Sequence, residues 1–175
     1  LTAHMEFNHP DDIENLEAFW QTDTLAKKPG LKAIDMFDAI HRGEIKAVWI
    51  MATNPIVSLP DSDKIKQALE NCPLVVVSDC IENTATTAYA DILLPAQGWS
   101  EKSGTVTNSE RRISRQRRLL ASPGMAKPDW WIIQALANRM GLNWHYQHPR
   151  DVFAEMKQGM ASLDHISWDW LDEEQ

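Results

Sequence analysis

Cysteine is nearly absent from this chain: of 175 residues only Cys72 and Cys80 carry a thiol. They do not form a CxxC pair and are too few for a zinc site or an iron–sulfur cluster within these residues. Two free thiols in a reducing cytoplasm are the expectation, ahead of a single disulfide. Positive charge is also scarce, with 17 Lys and Arg against 25 Asp and Glu and a net charge of −8. That balance argues against a general nucleic-acid binder, which needs a positive field to neutralise phosphates. Only Lys102 to Arg118 reverses it. No apolar run approaches the roughly 20 residues of a membrane span. Neither GxGxxG nor GxxxxGK[ST] occurs, so an ordinary NAD site and a P-loop ATPase are disfavoured. The scattered His4, His9, His41, His145, His148 and His165 make no HExxH pattern, and no GxSxG elbow is present. Leu1-Thr2-Ala3-His4-Met5 has neither an initiator Met nor a basic-then-apolar leader, and the sequence reads as a piece of something longer.

What is present is alternation. A hydrophobic fraction of 43% suits a globular protein, and the length suits one core. Ile13, Leu16, Phe19 and Trp20 recur at helical spacing behind a cap expected at Asp11 or Asp12. Ile34, Met36, Phe37 and Ile40 form the apolar face of a second helix, from Lys32 to His41. Lys46–Ala52, Leu74–Ser78 and Ile92–Leu94 read as strands, separated by a helix capped at Asp61 or Ser62 and by a short helical run at Thr84–Tyr89. Strand, helix, strand, short helix, strand implies right-handed crossovers and a parallel sheet. The expected fold is therefore α/β, a three-layer Rossmann-like domain over residues 1–160, with an acidic C-terminal tail at 161–175 that Trp168 or Trp170 could anchor. Gly98–Leu120 reads as irregular or hairpin-like. Pro128 and Gly141 bracket a helix from Asp129 to Met140, and another runs from Asp151 to about Gln158.

Parallel strands bind ligands at their carboxyl ends, so residues there are the candidates. Asn54, before Pro55, offers a donor and an acceptor for a phosphate or sugar, or forms a turn. Asp79 suits ribose hydroxyls or caps the next turn, and Ser78 can add a hydroxyl or an amide. Lys102 is the best candidate for phosphates in the absence of a glycine-rich loop. Asp129 can accept in parallel from the ring N–H and exocyclic amine of guanine, a pair adenine cannot offer, or can serve as an N-cap. No residue stands out as a catalytic group.

Longer phrases carry a resemblance. Met51-Ala52-Thr53-Asn54-Pro55, Val77-Ser78-Asp79, Thr84 to Ala96 and Trp99-Ser100-Glu101-Lys102-Ser103-Gly104-Thr105-Val106-Thr107-Asn108-Ser109-Glu110-Arg111-Arg112 closely resemble the molybdopterin oxidoreductase family, which contains dimethyl sulfoxide reductase, formate dehydrogenase and nitrate reductases. Lys32 to Phe37, Trp49 to Pro55 and Asn108 to Arg117 look most like the catalytic subunit of bacterial assimilatory nitrate reductases. The resemblance runs from Leu1 to about Phe153. It implies a domain that holds one guanosine of a bis-molybdopterin guanine dinucleotide cofactor through Asn54, Ser78, Asp79, Lys102 and Asp129. It further implies a cytoplasmic enzyme reducing nitrate to nitrite, partnered by the remaining domains of its subunit and an electron-donor protein, with neither nucleic acid nor membrane involved. The [4Fe-4S] centre and the protein ligand to molybdenum would lie outside this sequence, so this chain alone is not expected to reduce nitrate. Arg111 or Arg112 would attract the anionic substrate. A formate dehydrogenase, another family member, or a stand-alone α/β nucleotide-binding or scaffold module are the alternatives.

Overall fold

The computed structural model describes residues 5–7 and 9–173. His4 and the last two residues of the expected tail lie outside that range. In chain order the elements are α1 (Pro10–Trp20), α2 (Ala33–His41), β1 (Ala47–Met51), α3 (Pro55–Ser58), α4 (Ser62–Asn71), β2 (Leu74–Asp79), β3 (Ile92–Pro95), β4 (Gly104–Thr107), β5 (Ile113–Gln116), α5 (Asp129–Arg139), α6 (Pro149–Gln158) and α7 (Trp168–Glu173). Single tight turns of helix lie at Thr87–Tyr89, Trp99–Glu101 and Ala161–Leu163. The chain divides into two compact units, one of Leu31–Lys102 with Arg118–Trp144, the other of Leu1–Gly30, Ser103–Arg117 and His145–Gln175.

The first unit is built on a parallel sheet in the order β1-β2-β3, with Ile50 opposite Val77 and Val77 opposite Leu93. This is the α/β architecture with a parallel sheet that the alternation implied. Side chains of a strand alternate between faces, so Val48, Ile50, Val75 and Val77 point together. They bury against Phe37 and Ile40 of α2 and Ile65, Ala68 and Leu69 of α4. A sheet whose strands follow one another in one direction, joined by crossovers of one hand, receives both connections on the same side. Tyr89 and Ala90, from the second connection, accordingly pack on this same cluster. A 2.6 Å ion pair between Lys64 and Asp38 links α4 to α2.

The opposite face carries Trp49, Val76, Ile92 and Leu94, and within this unit α5 returns over it. Between them runs an apolar groove of about 810 Å³, walled on the helix side by Trp131, Ile132, Ala135 and Leu136. Helix, sheet, helix thus make three layers, the third partly open. Two local expectations fail. Ile34, assigned to the apolar face of α2, is 51% exposed, and Ala39 is buried beside Phe37 and Ile40. Asn54-Pro55 does more than stop β1: proline is favoured at the first position of a helix, and α3 is one such turn.

In the second unit β4 and β5 form the hairpin, Thr105 facing Arg115 and Val106 facing Ser114. Asn108 closes its turn, its side chain and amide both bonding Arg112, while Arg111 takes the left-handed backbone conformation at φ 63°. Ile113 packs with Phe153 of α6 and with Trp168 and Leu171 of α7. Of the two expected anchors Trp168 is buried and Trp170 is exposed. The start of α1 also differs from expectation, since His9 is its N-cap and Pro10 its first residue. Asp12 instead accepts from the Glu6 amide. At α6 the expected start moves back to Pro149, where His148 and Asp151 cap each other reciprocally.

Tyr146 donates a 2.6 Å hydrogen bond to Glu155 of α6. Burial first, and then this bond to a carboxylate, push its ionisation up to about 12. A pKa raised on folding supplies stability that is complete below the unfolded value, about 10, and is lost as pH rises through the folded one. Urea unfolding of the native chain should therefore lose more stability between pH 10 and 12 than that of Tyr146→Phe; parallel curves would refute this.

Candidate functional site

All five sequence-selected residues fall in the first unit, four of them at or just beyond the carboxyl ends of β1, β2 and β3 and Asp129 beside the last. Their settings differ. After β1, Ala52 adopts the left-handed conformation, its amide still donating to the Ser78 carbonyl at 2.9 Å. Asn54 follows at the start of α3, and its Oδ1 accepts a 2.7 Å bond from the hydroxyl of Thr86. That hydroxyl in turn accepts from the Ile56 amide at 3.4 Å. Because a threonine hydroxyl has one proton to give, this chain of bonds fixes the orientation of the Asn54 amide and leaves its Nδ2 with two donors. Thr86 was missed by the sequence reading. Its only signal was a run of three threonines in four residues between two strands.

Ser78 is 0% exposed, and its Oγ accepts a 2.7 Å bond from the Trp49 indole across the neighbouring strand. Its hydroxyl is thus committed inside the sheet and does not reach the surface. Asp79, the last residue of β2, is half-buried, and its Oδ1 accepts from the Ile81 amide at 3.0 Å. The turn-capping reading of this residue is realised through one oxygen. The other oxygen takes no part in that turn.

Asp129 is the first residue of α5, whose N-cap is Pro128. Its carboxylate makes no cap. It receives the Lys102 ammonium at 2.7 Å, both side chains being about a third exposed. The lysine follows the Trp99–Glu101 turn, which is closed by Glu101 accepting from the Gly98 amide at 2.8 Å. The aspartate is located by main-chain bonds: Ala96 and Lys127 form a parallel bridge, with the Lys127 amide on the Pro95 carbonyl and the Gln97 amide on the Lys127 carbonyl. Asp129 therefore stands two residues from a point tied to the end of β3. Arg111 and Arg112 belong to the hairpin turn of the other unit, where both are exposed.

The edge thus offers a fixed amide, two carboxylates with acceptor capacity and an ammonium held against one of them. Such groups can hold and orient a polar ligand by hydrogen bonds. Nothing in the set resembles a nucleophile activated by a base.

Comparison with known proteins gives these groups a context. The family model described as molybdopterin oxidoreductase matches residues 3–139. A nitrate reductase of Klebsiella oxytoca is 48% identical, over 98% of this chain and 22% of the relative. Another, of Shewanella frigidimarina, is 51% identical over 95% of this chain and 18% of the relative. The F420-dependent formate dehydrogenase subunit alpha of Methanocaldococcus jannaschii is 38% identical over 93% of this chain and 26% of its own length. Among solved structures, acetylene hydratase from Pelobacter acetylenicus matches with a TM-score of 0.65 at 23% identity, over 78% of this chain and 19% of that one. That likeness is one of fold. The chain spans about a fifth of the length of the nitrate reductases it matches.

Proposed function

The chain belongs to the molybdopterin oxidoreductase family, and from that premise we propose that it holds the guanosine end of one molybdopterin guanine dinucleotide in a molybdenum-dependent nitrate reductase. The two nitrate reductases, at about half identity across nearly the whole chain, support the choice of nitrate. One observation carries the nucleotide reading: Asp129, beside the end of β3, is free of any capping duty and fixed in place by main-chain bonds and by Lys102.

The donor set fits a guanine nucleotide. Guanine presents two parallel donors, and a carboxylate presents two acceptors. Asp129 takes the base, Asp79 the ribose hydroxyls through its second oxygen, and Asn54 a phosphate or sugar oxygen through Nδ2. Ser78 contributes by holding the strand end in shape with Trp49. When bound, the molybdenum–pterin group supplies two-electron oxygen-atom-transfer chemistry, and the protein supplies position and electrostatics. The remaining domains of the subunit, with a [4Fe-4S] centre and an electron-donor protein, complete an assimilatory, cytoplasmic enzyme. The same role in a formate dehydrogenase is the second reading, supported by the relative at 38% identity.

The test is an NMR titration of the chain with GDP against ADP, following backbone amides and the eight Trp indoles. Half of a cofactor site is expected to bind near millimolar strength. Saturable shifts with GDP alone, centred on Asp79 and Asp129 and lost in Asp129→Ala, are the expected result. Equal response to both nucleotides, or to neither, would overturn the guanine reading. Activity of the full-length protein with nitrate against formate separates the two substrates.

A further inference from the structure

A lone lysine beside a nucleotide site is naturally assigned to phosphate, but Lys102 is not alone. Its ammonium sits 2.7 Å from Oδ2 of Asp129, a partner 27 residues away, and the two charges cancel. A phosphate approaching this lysine would meet the aspartate's negative charge at nearly the same distance, and one of three ammonium donors is already engaged. The pair is therefore a weak phosphate site.

Its effect on the carboxylate is stronger. Asp129 begins α5, where the first amides of the helix lack intrahelical acceptors and attract any nearby carboxylate. Pro128 has no side-chain oxygen to satisfy them. Left to itself the Asp129 side chain would turn toward those amides. Lys102 instead holds one oxygen and so fixes the plane of the group. A carboxylate oxygen can accept more than one bond, so Oδ2 can keep the lysine while both oxygens meet a flat donor pair.

Resting on the guanine reading above, we propose that Lys102 is a positioning residue for base selection: it orients Asp129 toward guanine and is not the phosphate contact. The role of the lysine is thereby shifted from one end of the nucleotide to the other.

The discriminating ligands are inosine diphosphate, which keeps the ring N–H of guanine but lacks its amine, and the series guanosine, GMP, GDP. The native chain should prefer GDP over inosine diphosphate by about tenfold, the worth of one hydrogen bond to a charged group. In Lys102→Met that preference should fall to about twofold or less, with the same fold-loss for guanosine, GMP and GDP, and Lys102→Arg should restore most of it. If Lys102→Met instead keeps the preference and weakens GDP more than guanosine, the lysine is a phosphate contact and the proposal is wrong while the guanine site stands. If the native chain itself does not distinguish the two diphosphates, the guanine reading fails and takes this proposal with it. Unchanged amide spectra far from the edge confirm that each variant is folded.

Discussion

Replacing Arg115 with alanine is expected to destabilise the second unit by about 3 kcal/mol, because one side chain there joins four neighbours. Its guanidinium lies 3.9 Å from the centre of the Trp168 ring, pairs with Asp172 at 2.8 Å and donates to the carbonyls of Gly104 and Gln116. The side chain is 7% exposed, so these contacts work largely away from water. A cation stacked on tryptophan contributes about 2 kcal/mol when desolvated, and bonds to a charged donor about as much again. Asp172 is only partly buried and returns to water cheaply, which keeps the total below the sum. Lysine should recover roughly half at most, since it cannot stack and fork at once. Urea unfolding of the two variants checks both statements; an alanine variant within about 0.5 kcal/mol of the native chain, the range of ordinary surface changes, would refute them.

The second large effect is in α2, where two isoleucines six residues apart should respond very differently to truncation. Ile40 is 0% exposed within the cluster under the sheet, whereas Ile34 is half-exposed. Ile40→Ala should cost about 3 kcal/mol through lost burial and an unfilled cavity. Ile34→Ala should change stability by less than about 0.5 kcal/mol. Equal effects from the two would mean that α2 is rotated from the position described.

That contrast marks where the sequence was informative. Periodicity located α2, a cap at Asp61 or Ser62 the start of α4, apolar runs the three parallel strands, and Pro128 with Gly141 the bounds of α5. Periodicity did not say where the apolar stripe of α2 ends: at about 100° per residue Ile34 stands about 60° round the helix from Phe37 and about 120° from Ile40, at the margin of the stripe, and is left half-exposed. Proline was the stronger signal at three starts: Pro10, Pro55 and Pro149 each opened a helix. Nearby Asp11, Asp12 and Asp151, which looked like caps or first residues, took secondary roles. At the candidate site, position at strand ends singled out Asn54, Ser78 and Asp79, charge in a loop Lys102, and a helix start Asp129. The bonds that give them different settings join residues remote in sequence: Thr86 to Asn54, Trp49 to Ser78 and Lys102 to Asp129. Spacing alone carries no record of such pairs.

The bridge between Ala96 and Lys127 bears on how this edge tolerates change. The bonds that locate Asp129 run through main-chain atoms of Pro95, Gln97 and Lys127, which any non-proline residue at positions 97 and 127 can supply. Drift at those two positions leaves the aspartate where it is. Asn54, in contrast, owes its orientation to one hydroxyl, so a change at Thr86 to any residue without one releases it. Two neighbouring parts of one edge thus differ in their freedom to vary: the place of Asp129 in the chain survives substitution at positions 97 and 127, and the Asn54 side depends on the identity of a single buried residue.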